Sequence, residues 1–296
     1  MTSLALQLKQ LQIPGLKQSF GTVSHVSILF DKDVASTLDM ESIFNIGIHG
    51  FSQLVSIDSV FLDYEDTLFS QKSLHFQRTM ESGDVNKKIS KIIKEFLMLL
   101  SPYLQLEAAK KCLEWLIWRF QVHNFDRDSL MNCILPYHET QIFSRIIQLV
   151  HTEVYGTVWE HLLPKLNMGG TINTQTLVTH CYSNNNLLSF IFDIAETAVK
   201  IMTKKKPKSG FQMVFSFYSR ILCGVINEGN MKPDLLTKVM SFVESALQSK
   251  CHDFICGTYM AITILISNTN FKYKVKKNLM VYVVKVMVWI FMDYFH

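Results

Sequence analysis

The sequence predicts an all-α chain, an α-solenoid of antiparallel helix pairs. Three observations carry that prediction. Leu106, Ala109, Leu113, Leu116, Ile117 and Phe120 fall at steps of three, four, three, one and three, which draws one wide apolar stripe on a helix. Six prolines and twelve glycines in 296 residues leave room only for short joints. Helix–loop–helix units follow one another at repeat-sized intervals of roughly 35–47 residues, and no stretch alternates as a sheet would require. A unit with one apolar stripe cannot bury it alone, and stacking like units along an axis does so.

The elements follow in order. Leu4, Leu8 and Leu11 give a short helix stopped by Pro14-Gly15. Val26–Phe30 comes next, and Asp31–Asp39 is a cap-rich joint. Ile43, Phe44 and Ile46 open a helix to about Ile57, in which Gly47 and Gly50 permit a close neighbour. Asp58-Ser59 caps again. Phe61, Tyr64, Leu68 and Phe69 predict a helix reaching Arg78. After a polar loop at Glu81–Asn86, Val85, Ile89, Ile92, Ile93, Phe96, Leu97 and Leu100 form a stripe, with Lys87, Lys88, Lys91 and Lys94 on the wet side.

Ser101-Pro102 ends that helix, and Asn124–Asp128 caps the one after the Leu106–Phe120 stripe. The pattern loosens over His151–Pro164 and Asn167–Asn173, where Gly169-Gly170 marks a turn. Leu177–Tyr182 is a short apolar run. Leu187–Met202, Phe211–Ile226, Pro233–Leu247 and Phe254–Ile266 read as helices. Pro233 and Asp234 suit the first turn of theirs. The tail differs: Leu279–Met292 is fourteen residues, apolar except for Lys285. That is short of the ~20 a spanning helix needs, so a packed segment and no membrane contact is the expectation. Residues 1–268 therefore read as one helical repeat domain and 269–296 as a divergent apolar tail.

Bulk properties narrow the function. The net charge of +4 is too small for a chain-wide nucleic-acid footprint. The six cysteines are scattered among apolar residues, with no C-x-x-C pair and no apolar signal segment at the start, which predicts a reducing intracellular setting. Cys251, His252 and Cys256 have a spacing that no standard zinc module uses. Cys112, His123, Cys133 and His138 are irregularly spaced and read as core thiols and turn histidines. No G-x-S-x-G elbow, H-E-x-x-H pair, phosphate-binding P-loop or G-x-G-x-x-G turn occurs. The chain reads as a non-enzyme with no cofactor, no metal and no small-molecule substrate.

Two short motifs stand out. Lys204, Lys205, Lys206 and Lys208 surround Pro207 and predict an extended cationic strip in water, a candidate for nuclear import or RNA contact. No aromatic residue interleaves with them, so there is no stacking platform. Trp115, Trp118 and Arg119 are a candidate partner surface, since tryptophan and arginine dominate interface energetics. The competing reading puts a tryptophan in the seam between helices.

The segments CLEWLIWRF, DSLMNCILPYHETQIFSRIIQLV and LVTHCY, the opening MTSLALQLKQL and the later Gly257–Met260 carry a resemblance. They resemble the N-terminal region of the HEAT repeat-containing protein 1 family, also called the U3 small nucleolar RNA-associated protein 10 family. LPYHET, Leu135–Thr140, is the most specific part. The likeness runs from about Met1 to Ser267, and the tail departs from it. It implies a fragment or short isoform of a far longer protein, folded as HEAT-like helix pairs. It further implies a nucleolar scaffold of the small-subunit processome, a ribonucleoprotein, supporting pre-18S ribosomal RNA processing and RNA polymerase I transcription. The implied partners are other processome proteins, with pre-ribosomal RNA or U3 small nucleolar RNA reached indirectly. The rival readings are a HEAT-like transport adaptor that binds protein cargo, and a direct RNA-binding module.

Overall fold

A computed structural model describes residues 27–150, 159, 170–229 and 231–268, with positions 273, 276–281, 283 and 284 of the tail. The predicted helix at Leu4–Leu11 and most of the predicted apolar tail lie outside the described residues. The principal helices are α1 (Met40–Ile57), α2 (Gly83–Leu100), α3 (Glu107–Phe120), α4 (Arg127–Ile134), α5 (Gln141–Val150), α6 (Thr174–Ser183), α7 (Asn185–Lys205), α8 (Gln212–Asn227), α9 (Pro233–Leu247) and α10 (His252–Asn268). No strand occurs among the described residues.

Caps fix several helix starts. The Asp39 carboxylate accepts from the Ser42 amide at 2.7 Å ahead of α1, and Asn173 accepts from Thr176 at 2.7 Å ahead of α6. Asn184 accepts from the Asn186 and Leu187 amides ahead of α7. Pro233 occupies the first turn of α9, where its missing N–H costs nothing.

The main pairings join helices two places apart: α1 with α3, α2 with α4, α6 with α8, and α8 with α10. Consecutive helices meet as well, α6 with α7, α7 with α8 and α9 with α10. This is an α-solenoid of helix pairs, in which alternate helices share a layer. Glycine sets the closest approaches. A Cβ on Gly47 would stand 2.6 Å from Trp115 Cβ, and one on Gly257 would stand 1.8 Å from Ser219 Oγ. The first contact is shorter than any side chain tolerates, so α1 can lie on α3 only because Gly47 lacks Cβ, and a Cβ on Gly257 would displace the Ser219 hydroxyl from the α8–α10 seam.

Helix α3 is the centre of the N-terminal half. Ala109, Cys112, Leu113, Trp115, Leu116, Ile117 and Phe120 are all buried. Leu106, read from its spacing as part of the stripe, is 41% exposed because it precedes the helix and leaves that face. The single helix predicted from Phe61 to Arg78 is instead three short pieces, Ser59–Tyr64, Glu65–Leu68 and Gln71–His75. The apolar residues of this segment, Phe61, Tyr64, Leu68 and Phe69, are still buried, and Phe61, Tyr64 and Phe69 meet the Phe96 ring of α2. Tertiary packing of rings decides this segment over helical spacing.

Buried polar groups are tied to specific partners. Glu114 is fully buried and accepts from the Ile28 amide at 2.8 Å and from Trp118 Nε1 at 2.9 Å. Burial raises its carboxyl above the usual range, against hydrogen bonds from Ser27, Ile28, Trp118 and Leu29 that pull it down. Arg145 donates to the Ile28 carbonyl at 3.0 Å, so the segment before α1 is held from two sides. Arg78 pairs with Asp126, both buried, and donates to Ser90 Oγ at 2.8 Å.

Candidate functional site

The predicted cationic strip is divided by the structure. Lys204 and Lys205 are the last residues of α7, and Lys206 ends the helix in the left-handed region at φ 49°. Lys204 Nζ lies 3.3 Å from Glu95 Oε1 of α2. Lys205 Nζ lies 2.6 Å from Asp63 Oδ2 and sits over the Tyr64 ring. The Lys208 amide donates to Asp58 Oδ2 at 2.7 Å, and its Nζ donates to the Ile57 carbonyl at 3.0 Å.

The expectation that the whole strip stands in water is therefore corrected. Lys204, Lys206 and Lys208 are exposed, but Lys205 is only half-exposed and three of the four lysines contact the N-terminal half. The reason is local charge: Asp58, Asp63 and Glu95 face this turn, and sequence distance hid them.

Asp58 is the anchor of that contact. It is 1% exposed and accepts from the Val60 amide, the Tyr103 hydroxyl and the Lys208 amide. The Ser209 amide in turn donates to Tyr103 Oη at 3.3 Å. Burial and the Asp58 contact push the Tyr103 hydroxyl up to about 12. The turn after α7 is thus bonded to the end of α1 and to the turn after α2.

Above this anchor, α2 and α7 enclose a cleft of about 360 Å³. Lys91, Lys94, Lys200, Lys204 and Lys205 line it together with one carboxylate, Glu95. Tyr64, Leu99 and Ile201 form its floor and are themselves buried. Lys87, Lys91 and Lys94 stand at i, i+4 and i+7, so they form one row along α2. Sequence reasoning placed these lysines on a wet face but missed Lys200 and the facing of the two helices. The i+4 spacing of Lys200 and Lys204 was the available signal.

The second candidate surface also splits. Trp115 is fully buried and donates to the Leu68 carbonyl at 2.8 Å, which removes it from any partner surface. It fills the seam against Gly47 and stacks edge-on with Phe44. Trp118 and Arg119 are half-buried, and burial lowers the Arg119 guanidinium from its ordinary value.

The LPYHET turn joins the two halves on another side. Tyr137 donates to the Ser101 carbonyl at 2.6 Å, and Glu139 Oε1 accepts from the Thr174 hydroxyl at 2.8 Å and its amide at 3.1 Å. His138 is buried against Phe217, and burial holds its imidazole below the ordinary value. Cys112, Cys133 and Cys181 are buried thiols, raised by burial and so poor nucleophiles. Among the described residues no group of three His, Cys, Asp or Glu could hold a metal ion, and no helix is long and apolar enough to cross a membrane.

No family model matches the chain. It is similar to HEAT repeat-containing protein 1 of Danio rerio, 37% identical over 267 residues, covering 88% of this chain and 12% of that protein. It is 37% identical over 265 residues to HEAT repeat-containing protein 1 of Homo sapiens, with the same coverage. U3 small nucleolar RNA-associated protein 10 of Lodderomyces elongisporus is 25% identical over 270 residues, covering 90% of this chain and 14% of that protein. The chain thus spans a small part of the length of the relatives it matches.

Proposed function

The chain belongs to the HEAT repeat-containing protein 1 family, and from that premise we propose that it is a non-catalytic helical scaffold in ribosome biogenesis. In this reading it works in the nucleolus, within the small-subunit processome and beside the U3 ribonucleoprotein, and supports pre-18S ribosomal RNA processing and RNA polymerase I transcription. Its partners are other processome proteins, and pre-ribosomal RNA reaches it mainly through them. The observation that carries the reading is the 37% identity across 88% of the chain. The name of the fungal relative, a U3 small nucleolar RNA-associated protein, supports the same direction.

The mechanism is geometric. Stacked helix pairs present a long surface whose shape depends on interlocked contacts such as Gly47 on Trp115. Two factors held on one surface meet at the effective concentration that surface imposes, with no chemical step by the scaffold. Affinity purification of the tagged chain, read by protein mass spectrometry, tests the reading. Ribosome-biogenesis factors are the expected company. Recovery of transport receptors and their cargo in their place would support the adaptor reading and reject this one.

A further inference from the structure

We propose that the cleft between α2 and α7 holds the phosphate backbone of a single RNA strand without reading its bases. The charges are arranged for it. Lys91 and Lys94 line the cleft and continue a row with Lys87, which lies one turn beyond its lining; the row is roughly 10 Å long by the helical rise, and all three are exposed. Lys200 stands on the opposite wall, also exposed. Lys200, Lys204 and Lys205 each lie beside a carboxylate, Glu196, Glu95 and Asp63, so the row on α2 carries most of the charge left for a ligand.

The neighbouring carboxylates temper the field without cancelling it. Glu196 is 3.3 Å from Lys200 and also accepts from Ser245 Oγ. The Asp193 carboxyl is raised by burial and by Glu196, while Lys200, Lys94 and Lys238 pull it back. Lys200 keeps a 74% exposed side chain and can turn toward a ligand.

A polyanion fits this cleft better than a protein does. Lysine is depleted at protein–protein interfaces, whose energy comes from aromatic and arginine anchors in apolar pockets. Here Tyr64, Leu99 and Ile201 are closed over, at 3%, 2% and 7% exposure, and offer no such pocket. No exposed aromatic lines the cleft for stacking and no arginine fork lines it for bidentate contact with a base edge. What remains is a row of point charges, which suits regularly spaced phosphates. The choice of RNA as the strand rests on the family reading above.

The test uses the whole chain and a labelled oligouridine strand, titrated by fluorescence anisotropy between about 50 and 200 mM salt. Binding that weakens with salt is expected for the unaltered chain. The triple variant Lys91→Gln, Lys94→Gln, Lys200→Gln should bind more weakly, with the salt slope reduced by up to about 2, or 0.7 per lost contact. A control, Lys72→Gln, Lys232→Gln, Lys250→Gln, removes the same charge from exposed positions outside the cleft and should bind like the unaltered chain. The variant Lys91→Arg, Lys94→Arg keeps the charge and should retain binding, which separates lost contact from lost fold. Equal weakening in cleft and control variants, or no change in either, overturns the proposal. So does a cleft variant that keeps RNA binding while losing affinity for an Asp/Glu-rich peptide. Failure of the family reading would show separately, in the purified company of the tagged chain, and would leave this titration unaffected.

Discussion

The Asp58 carboxylate accepts the Lys208 amide at 2.7 Å across 150 residues of chain. The bond ties the end of α1 to the turn after α7. It comes from the Lys208 backbone, so the contact does not depend on a lysine at this position. Asp58 also satisfies Val60 and Tyr103. Asp58→Ala should therefore leave buried donors unpaired and cost about 2–4 kcal/mol. Lys208→Ala keeps its amide and loses only an exposed Nζ contact, so its effect should stay within about 0.5 kcal/mol. Urea midpoints of the two variants check the contrast.

Close helix contact gives a second prediction. Gly257→Ala places a methyl group where Ser219 Oγ lies, and that hydroxyl already donates to the Phe215 carbonyl at 2.8 Å. Ser219 must turn its hydroxyl away and give up that bond, or the α8–α10 pair must open, at a cost of about 1–3 kcal/mol. Leu116→Ala leaves a cavity in the fully buried centre of α3 and should cost about 2–5 kcal/mol. Thermal melts that match the unaltered chain would show that these seams are looser than described.

Acid should destabilise the fold through His123. Burial and the nearby Arg127 charge lower its pKa from 6.5 to about 4, and its Nδ1 is buried without a hydrogen-bond partner. A lowered folded value means that the unfolded chain binds the proton more readily. Stability from this group is full above about 6.5 and is lost as pH falls toward 4. Replacing it by glutamine should flatten the stability profile across that window. An unchanged profile in the variant would rule His123 out as its source.

Lys206 offers a stabilising change. A non-glycine residue at φ 49° pays for the left-handed region with about 1 kcal/mol. Lys206→Gly at this helix end should raise stability by about 0.5–1 kcal/mol, measured by chemical denaturation. A loss of stability would mean that the Lys206 side chain holds a contact worth more than the strain.

Much of the fold was legible from spacing. The α3 stripe, the Pro233 start and the Asp39 and Asp58 caps follow from periodicity and local hydrogen bonding, which act over a few residues. Gly47 and Gly50 signalled close approach because a helical glycine removes the Cβ that would hold a neighbour away, and a Cβ at either would collide with α3. The broken segment after Asp58 was not legible, since rings from α2 decide it. The candidate site was legible only in half. Four lysines around Pro207 were visible, but their partners Asp63 and Glu95 lie more than a hundred residues away. The cleft needed the facing of α2 and α7, which no local pattern encodes. Trp115 looked like an anchor for a partner and is one for α1 instead.

The most direct measurement of the scaffold claim is sedimentation of the tagged chain from cell extract on a density gradient, with each fraction probed for U3 small nucleolar RNA. The chain should run far heavier than its own mass and peak with U3 RNA. A chain that runs alone near its own mass, or in a complex free of U3 RNA, would contradict it.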